Sequence, residues 1–440
     1  MILHIGIDDT DSKQHGCTTY ISSLIIKKLL QLKAEFIDYP NLIRLNPNVP
    51  WKTKGNAAVA LRFKHSSPKT IFNIICNIVE KNSKYIDGFA NPGIIMLVAN
   101  EIPDKITLFS KTCMSKIVKV HTAIKLLDDY DICFKKYGTG QGLIGALAAI
   151  GNTLNNDYTY ELLSYRKTKN WGTKRHISSS SVINMDKKMQ KKTFSNYDYD
   201  NNRILITPNS PDPVFCGIRG ESCEYVYSSY KMLDINELLD SYVIYRTNQG
   251  TNAHLFNEFN KNNIHQYSCG FFSGYILSKP KIFSGGHIYF LIEKNNIKLN
   301  CVVYQQSQNL RKISLNLEIG DYIKIGGAIR SKKRDLIHTV NIEYFEILKL
   351  KDRILLSNPF CTSCQKRLKS QGKNQPFRCV HCKIVYPKST KIMEKINRNI
   401  TTKLYLPPLG SQRHLTKPLH RYGLEKEFYN NIICKNWNIF

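Results

Sequence analysis

Three carboxylates and a hydroxyl lie close together near the start of the chain, a combination that suits a metal ion beside a phosphate. Asp8, Asp9 and Asp11 fall within four positions directly after the apolar run MILHIGI, and Thr18 follows. Carboxylates this close repel one another, and a hard cation relieves the repulsion. Mg²⁺ is typically held by one or two carboxylates together with substrate phosphates. The pattern therefore predicts a Mg²⁺ site, with Asx turns and a helix N-terminal acid as the alternative.

The hydroxyl of Thr18 has two interpretations. Strand, acidic loop and helix are the opening of an α/β unit, and such loops bind ligands at the C-terminal ends of strands. Thr18 or Thr19 is a candidate N-cap of the helix that follows, and the motif alone favours the cap. Placement of the Thr18 hydroxyl beside a transferred phosphate is the second interpretation.

A glycine cluster offers a second element suited to phosphate. Gly138, Gly140, Gly142 and Gly145 form G-x-G-x-G-x-x-G ahead of a helix-prone stretch. Glycines let backbone N–H groups close around phosphate, and a helix N-terminus adds a favourable dipole. A tight connecting turn is the alternative. The G-x-x-x-x-G-K-[ST] pattern and the kinase H-R-D and D-F-G motifs are absent from the sequence, so an ordinary P-loop or protein kinase is excluded.

Four cysteines near the C-terminus predict a structural zinc site. Cys361 and Cys364 form one C-x2-C knuckle, and Cys379 and Cys382 form a second one 14 residues later. Four thiolates fill a tetrahedral shell, which leaves no open position for catalysis and makes His381 a non-ligand. The short polar segment has no core, so the metal must supply its folding energy. The surrounding basic side chains predict a nucleic-acid contact; they are Lys366, Arg367, Lys369, Lys373 and Arg378.

Composition points to a polyanion partner. The 440 residues carry 63 lysines and arginines against 34 aspartates and glutamates, a formal net charge of +29. A large positive field attracts nucleic acid first of all. The sequence has no apolar run of membrane-spanning length and no signal-peptide pattern at its start. The 13 cysteines suit a reducing cytoplasm with a metal site better than a disulfide framework.

Hydrophobic patterning predicts several domains. Helical spacing marks residues 19–32, 70–82 and 122–130, and apolar runs predict strands at 1–7, 58–63, 93–99 and 158–166. The polar segments 167–203 and 207–222 are expected to be loops. Short strand patterns across 267–347 favour an OB-type barrel, a fold that often binds oligonucleotides.

Six segments, in order over nearly the whole chain, resemble one family, the archaeal tRNA(Ile2) 2-agmatinylcytidine synthetases, TiaS. They are GIDDTDSKQHGCTTY (6–20), RLNPNVPWKTKGNAAVALRF (44–63), GTGQGLIGALAAIG (138–151), TPNSPDPVFCGIRGES (207–222), YRTNQGTNAHL (245–255) and RHLTKPLHRYGLE (413–425).

The resemblance implies an α/β and α+β multidomain fold. We expect a kinase-like ATP/Mg-binding domain at 1–140, a ferredoxin-like domain at 141–262, an OB-fold at 263–350, and a zinc ribbon with a basic tail at 355–440. It implies ATP-dependent joining of agmatine to C2 of the wobble cytidine in the isoleucine tRNA with a CAU anticodon. The base carbonyl is phosphorylated and then displaced by the amine, leaving AMP and phosphate. The expected cofactors are ATP, Mg²⁺ and Zn²⁺, with no membrane and no obligate protein partner.

The resemblance also suggests roles for individual residues. Asp8, Asp9 and Asp11 would serve the ATP/Mg²⁺ site, and Thr18 would be autophosphorylated. The candidates for cofactor binding are the four glycines with Lys52 and Lys54. The candidates for substrate binding are Arg166, Asp212, Arg219 and Glu221. The candidates for tRNA binding are Lys366, Arg367, Arg413 and His414. Glu161 competes with Asp212 and Glu221 for the agmatine guanidinium, and Arg421 is a further tRNA candidate in the basic tail.

Two other functions remain open from the residues alone. An ATP-dependent RNA ligase or nucleotidyltransferase would also use acidic Mg²⁺ ligands, with Lys52 or Lys54 as its nucleophile. A non-enzymatic RNA binder would use only the barrel and the ribbon. It would leave the aspartates and the glycine cluster unexplained.

Overall fold

The computed structural model describes residues 1–11, 16–52, 55–83, 85–86, 88, 90–330, 337–427 and 432–440. The first part of the chain is a strand-rich α/β unit. Its elements are β1 (Ile2–Asp8), α1 (Thr18–Gln31), β2 (Glu35–Phe36), β3 (Asn41–Arg44), β4 (Ala57–Lys64), α2 (Pro68–Asn82), β5 (Gly93–Val98), α3 (Asp104–Ser115), α4 (Val120–Asp129) and β6 (Cys133–Lys136). The predicted helices and strands of this part are confirmed.

The second part adds further α/β elements. They are α5 (Gly142–Gly151), β7 (Thr159–Arg166), α6 (Ser179–Lys188), β8 (Thr193–Phe194), β9 (Tyr197–Asp198), β10 (Arg203–Ile204), β11 (Val214–Gly220), α7 (Cys223–Lys231) and β12 (Leu239–Thr247). One sheet of 11 strands runs through both parts, with β6-β5-β1-β4-β3-β12-β7-β11-β8 as its main order. The parallel pairing of β3 with β12 joins the two parts, so they share one hydrophobic core.

The third part is a closed barrel, as expected for an OB-fold. Its elements are β13 (Cys269–Ile276), β14 (Lys281–Ile282), β15 (Ile288–Lys294), β16 (Ile297–Val303), α8 (Gln308–Ser314), β17 (Tyr322–Ile329) and β18 (His338–Lys349). The order β13-β17-β18-β16-β15 closes through the pairing of β13 with β15. Alternating inward side chains such as Phe272, Phe290 and Phe345 fill a separate core.

The last part contains short strands and returns to the main body. Its strands are β19 (Arg353–Ser357), β20 (Lys369–Ser370), β21 (Phe377–Arg378), β22 (Val385–Tyr386), β23 (Ile392–Ile396), β24 (Leu404–Tyr405) and β25 (Asn438–Ile439). β20, β21 and β22 form the three-stranded sheet of the zinc ribbon. The chain then pairs β24 with β18 and β25 with β12. A disulfide joins Cys223 to Cys434, a link that the expectation of reduced cysteines did not include.

Three local predictions were wrong. Residues 167–203 contain α6, because Val182 and Met185 bury one helical face and the Ser178 hydroxyl accepts from the Ser181 amide as N-cap. Residues 207–222 contain β11, which pairs with β7 and β8 although the segment is rich in proline and glycine.

The third error concerns the start of α1. Its N-cap is Cys17, with no side-chain capping bond, and Thr18 is the first helical residue. Neither Thr18 nor Thr19 is therefore the cap. Four side chains of α1, at the helical spacing that the sequence predicted, are buried against the sheet; they are Ile21, Ile25, Ile26 and Leu29.

Candidate active site

A cavity of about 880 Å³ brings together ten of the residues predicted from the sequence. It lies among the acidic loop after β1, the start of α1, the segment after β3, the segment 203–214 and the C-terminal segment 412–415. Predicted site residues that line it are Asp8, Asp9, Asp11, Thr18, Lys52, Glu161, Asp212, Arg219, Arg413 and His414. These segments are distant in sequence, and the shared sheet brings them to one place.

The three aspartates occupy the C-terminal end of β1. Asp8 is the last residue of that strand and pairs with Gly93, and Asp9 takes a positive φ of 53°. Burial, followed by the charge of Asp9, raises the pKa of Asp8 well above its usual value. Burial, followed by the charge of Asp11, raises the pKa of Asp9 to about 6. A cation would remove both the repulsion and the desolvation cost, so this donor set of hard oxygens fits Mg²⁺.

The hydroxyl of Thr18 faces this acidic loop. Thr18 Oγ1 donates to Asp11 Oδ1 at 3.5 Å and accepts from Thr10 Oγ1 at 3.0 Å. Thr18 is 6% exposed and is one of the residues that line the cavity. Since Thr18 makes no capping bond, the structure places its hydroxyl between an acid and open cavity space.

The glycine cluster packs the next helix against the aspartates. A Cβ on Gly145 would lie 1.8 Å from Asp8 Oδ2, and one on Gly142 would lie 2.4 Å from the Gly93 nitrogen. Gly138 and Gly140 have positive φ and form the turn that enters α5. Among the cluster's residues the cavity is lined by Gln141 and not by the glycines. These glycines allow the backbone at the start of α5 to approach the acidic loop closely.

A buried group of opposite charges forms another part of the cavity lining. Glu161 Oε2 lies 3.8 Å from Arg44 Nη2, and Glu161 Oε1 lies 3.9 Å from Arg219 Nε. The Nε atoms of both arginines are buried without a hydrogen-bond partner among the described residues. The charge of Arg44, followed by desolvation, holds the pKa of His414 well below its usual value, so His414 is neutral.

Two cationic side chains with spare donors suit an anionic ligand such as a phosphate. The residue-by-residue assignments made from the sequence missed Arg44, although the quoted motif at 44–63 begins with it. They also missed Gln249, whose side-chain amide donates to Glu161. Both lie inside segments that the family resemblance had already marked.

Several predicted residues lie elsewhere. Arg166 is 1% exposed and binds Glu237 at 2.6 Å, and Glu221 binds Arg421 at 2.5 Å; neither lines the cavity. Arg421 is 0% exposed, so its prediction as a tRNA contact is wrong: its guanidinium is used by Asp157 and Glu221 inside the fold. Lys54 lies outside the described residues.

The zinc prediction fits the side chains. The Sγ atoms of Cys361, Cys364, Cys379 and Cys382 all lie within 4.8 Å of one another. Lys366 and Arg367 lie on this ribbon, away from the cavity, and Arg367 stacks on Phe360 at 4.6 Å. No helix among the described residues is long and apolar enough to cross a membrane.

Fold and site together define a multidomain α/β protein that combines an acidic, threonine-bearing cavity with an OB barrel and a zinc ribbon. Family models match in the same order: the TiaS TCKD domain at 4–139, the TiaS FLD domain at 140–254 and the TiaS C-terminal zinc ribbon domain at 358–400. Each carries the name of the family that the six sequence segments resemble.

Individual relatives agree over the full length. The chain is 38% identical to the tRNA(Ile2) 2-agmatinylcytidine synthetase TiaS of Cenarchaeum symbiosum, covering 96% of this chain and 93% of the relative. It is 37% identical to the TiaS of Methanocaldococcus jannaschii, covering 96% and 100%. It also matches a crystal structure of a TiaS–tRNA(Ile2)–AMPCPP–agmatine complex with a TM-score of 0.82 and 30% identity, covering 96% and 97%. The chain belongs to the TiaS family.

Proposed function

We propose that this protein joins agmatine to C2 of the wobble cytidine in the isoleucine tRNA with a CAU anticodon, at the expense of ATP. The relatives' name and the complex with tRNA(Ile2), AMPCPP and agmatine support this substrate set. The observation that carries the proposal is the single cavity that holds three carboxylates, the Thr18 hydroxyl and two arginines with spare donors. We also propose a cytoplasmic location, where the tRNA is found.

The reaction balances with one water molecule consumed overall. Cytidine, agmatine, ATP and water give 2-agmatinylcytidine, AMP and two phosphates. Phosphorylation of the C2 oxygen turns it into a leaving group, and the agmatine nitrogen forms the new bond to C2 as phosphate departs with that oxygen. Such phosphoryl transfer depends on positioning and on neutralising charge.

Asp8, Asp9 and Asp11 would hold Mg²⁺ in this scheme. The ion supplies charge neutralisation at the transferred phosphoryl group. Arg44 and Arg219 also line the cavity and would bind phosphate oxygens through their guanidinium groups. Lys52, which also lines the cavity, adds a further positive charge. The glycines lack side chains and so allow α5 to pack directly against Asp8.

Thr18 would be the phosphoryl acceptor on the protein. Its hydroxyl donates toward Asp11, which can take the proton as the new P–O bond forms. The 3.5 Å separation is long for a hydrogen bond, and such catalytic bonds commonly shorten when substrate fills the site.

The three carboxylates considered for agmatine lie in different places. Glu221 lies outside the cavity, and Glu161 lies between Arg44 and Arg219, whose charges would repel a guanidinium. Asp212 lines the cavity on the segment 207–214. We assign the guanidinium of agmatine to Asp212, with its primary amine directed to the interior where the base would enter.

The tRNA would lie across the barrel, the ribbon and the rim of the cavity. Arg413 lies at that rim and is 39% exposed, and Lys366 and Arg367 extend the positive surface on the ribbon. His414 lines the cavity and is exposed, so its neutral imidazole could contact the flipped base. We propose the divisions 1–140, 141–262, 263–350 and 355–440; because the first two share one sheet and one core, a truncation should keep them together.

Incorporation of radiolabelled agmatine tests the function. Label should enter tRNA only when ATP and the CAU anticodon are present, and a tRNA carrying GAU is the matched control. Intact-mass analysis after incubation with ATP separates the rival enzyme: an RNA ligase would carry adenylate on a lysine, whereas this protein should carry phosphate on Thr18. A plain RNA binder would consume no ATP.

A further inference from the structure

The segment 207–214 is a thin wall between two cavities. Thr207, Pro208, Asn209 and Ser210 line both the main cavity of about 880 Å³ and a smaller cavity of about 400 Å³. The smaller cavity is completed by residues 172–175. Because these four residues border two cavities, this wall has less of the side-chain packing that normally fixes a loop.

The guanidinium of Arg175 binds this segment and holds it in place. Arg175 Nη1 donates to the carbonyls of Pro208 at 2.8 Å and Ser210 at 2.9 Å. Arg175 Nη2 donates to the Asp212 carbonyl at 2.8 Å, and Arg175 Nε donates to the Val214 carbonyl at 2.9 Å. Four carbonyls at alternate positions of one segment therefore converge on a single planar cation.

A second arginine holds the segment that carries Arg175. Arg166 Nη1 donates to the Thr173 carbonyl at 2.7 Å, and Arg166 Nη2 donates to the Lys174 carbonyl at 3.2 Å. Arg166 is itself fixed by two bonds of 2.6 Å to the carboxylate of Glu237. Arg166 therefore does not line the cavity but holds the segment that carries Arg175.

We infer that Arg175 is a positioning residue for the amine substrate, acting through the wall 207–214 and the Asp212 carboxylate on it. The inference rests on the proposed function, because Asp212 is there assigned to agmatine. Losing Arg175 leaves a hole lined by four carbonyls that is shaped for a guanidinium. A small guanidinium ion should fill that hole and restore the wall, which no ordinary structural role would predict.

The test compares Arg175→Ala with and without millimolar methylguanidinium. The variant should raise the KM for agmatine at least about tenfold while the KM for ATP changes little, because misplacement of one binding group weakens that substrate alone. Methylguanidinium should reverse most of the rise. In the wild-type protein the same ion can only compete with agmatine, so it should leave activity unchanged or lower it. Arg175→Lys should rescue only in part, since an ammonium cannot reach all four carbonyls.

Arg398→Ala is the matched control. Arg398 also binds backbone carbonyls, those of Asn316 and Lys351, together with Asp321 in the barrel, and its removal should produce no agmatine defect that methylguanidinium repairs. Unchanged agmatine KM in a folded Arg175→Ala, or a rise that methylguanidinium does not reverse, would overturn the inference.

Hydrogen exchange of the amides in 207–214 gives a readout independent of activity. Exchange there should speed up in Arg175→Ala and slow again with methylguanidinium, even if the wild-type protein were found to use a different amine. Failure of the wild type to incorporate agmatine would therefore refute the proposed function, whereas unchanged exchange in 207–214 would refute the role of Arg175.

Discussion

Replacement of Thr18 by alanine distinguishes a catalytic role of the Thr18 hydroxyl from a structural one. The substitution removes the hydroxyl of a buried residue, which accepts from Thr10 and donates toward Asp11, and it removes no helix cap. Loss of one buried hydrogen bond, with the Thr10 hydroxyl left unpaired, costs about 1–3 kcal/mol. For a unit of this size that lowers Tm by roughly 2–4 °C per kcal/mol, so the variant should remain folded at assay temperature.

Activity should respond far more strongly than stability. If Thr18 accepts the phosphoryl group, Thr18→Ala should abolish agmatine incorporation and phosphorylation of the protein, while Thr18→Ser, which keeps the hydroxyl, should restore part of both. Phosphate on the protein is measured by intact mass after incubation with ATP, and incorporation is measured with labelled agmatine.

Thr19→Ala is the matched control for this experiment. Thr19 also lines the cavity, and its carbonyl accepts from Tyr165 and Tyr245, bonds that the substitution leaves in place. This variant should retain phosphorylation and incorporation. Full agmatine incorporation by Thr18→Ala, accompanied by only a modest fall in Tm, would refute the acceptor role.

Three further predictions concern zinc, RNA and pH. Cys361→Ser should lose stoichiometric zinc by elemental analysis and weaken tRNA binding while ATP still binds; zinc at wild-type occupancy would contradict the four-cysteine site. The logarithm of the tRNA dissociation constant should rise steeply with the logarithm of salt concentration. Charge reversal at Lys366 and Arg367 should flatten that slope without changing ATP turnover. A slope near zero in the wild-type protein would reject the electrostatic account. Burial, followed by the charge of Arg62, lowers the pKa of His4 to about 4. As pH falls, His4 is therefore protonated in the unfolded chain at a higher pH than in the folded protein. The free energy of unfolding should therefore drop by up to roughly 3 kcal/mol between about pH 6.5 and 4, and urea unfolding of His4→Gln should lack that part of the pH dependence.

The sequence predicted the elements with clear periodicity and the sites with specific spacing. The helix beginning at Thr18, the barrel strands and the four cysteines follow from local pattern, because apolar spacing and C-x2-C knuckles need no distant partner to be recognised. The strand Val214–Gly220 was missed because its proline and glycine content resembles a loop. It is a strand because β7 and β8 pair with it.

Roles that depend on distant partners could not be predicted. Arg166 and Arg219 are both arginines that the sequence offered as substrate-binding residues. Arg166 is buried against Glu237, whereas Arg219 lines the cavity. The glycines of 138–145 suit a phosphate cradle and a close helix contact equally well, and only the approach of Gly145 to Asp8 distinguishes the two. The position of Thr18 favours a cap, but the structure shows that Cys17 is the N-cap, without a side-chain capping bond, and that Thr18 is the first helical residue.

Mass spectrometry of the wobble nucleoside tests the central claim most directly. The CAU isoleucine tRNA is incubated with the full-length protein, ATP, Mg²⁺ and agmatine, then digested to nucleosides. The account predicts a cytidine heavier by agmatine minus water, attached at C2, and its absence when Asp9→Asn replaces the wild-type protein. Unmodified cytidine at the wobble position with the folded wild-type protein, in the presence of all substrates, would contradict it.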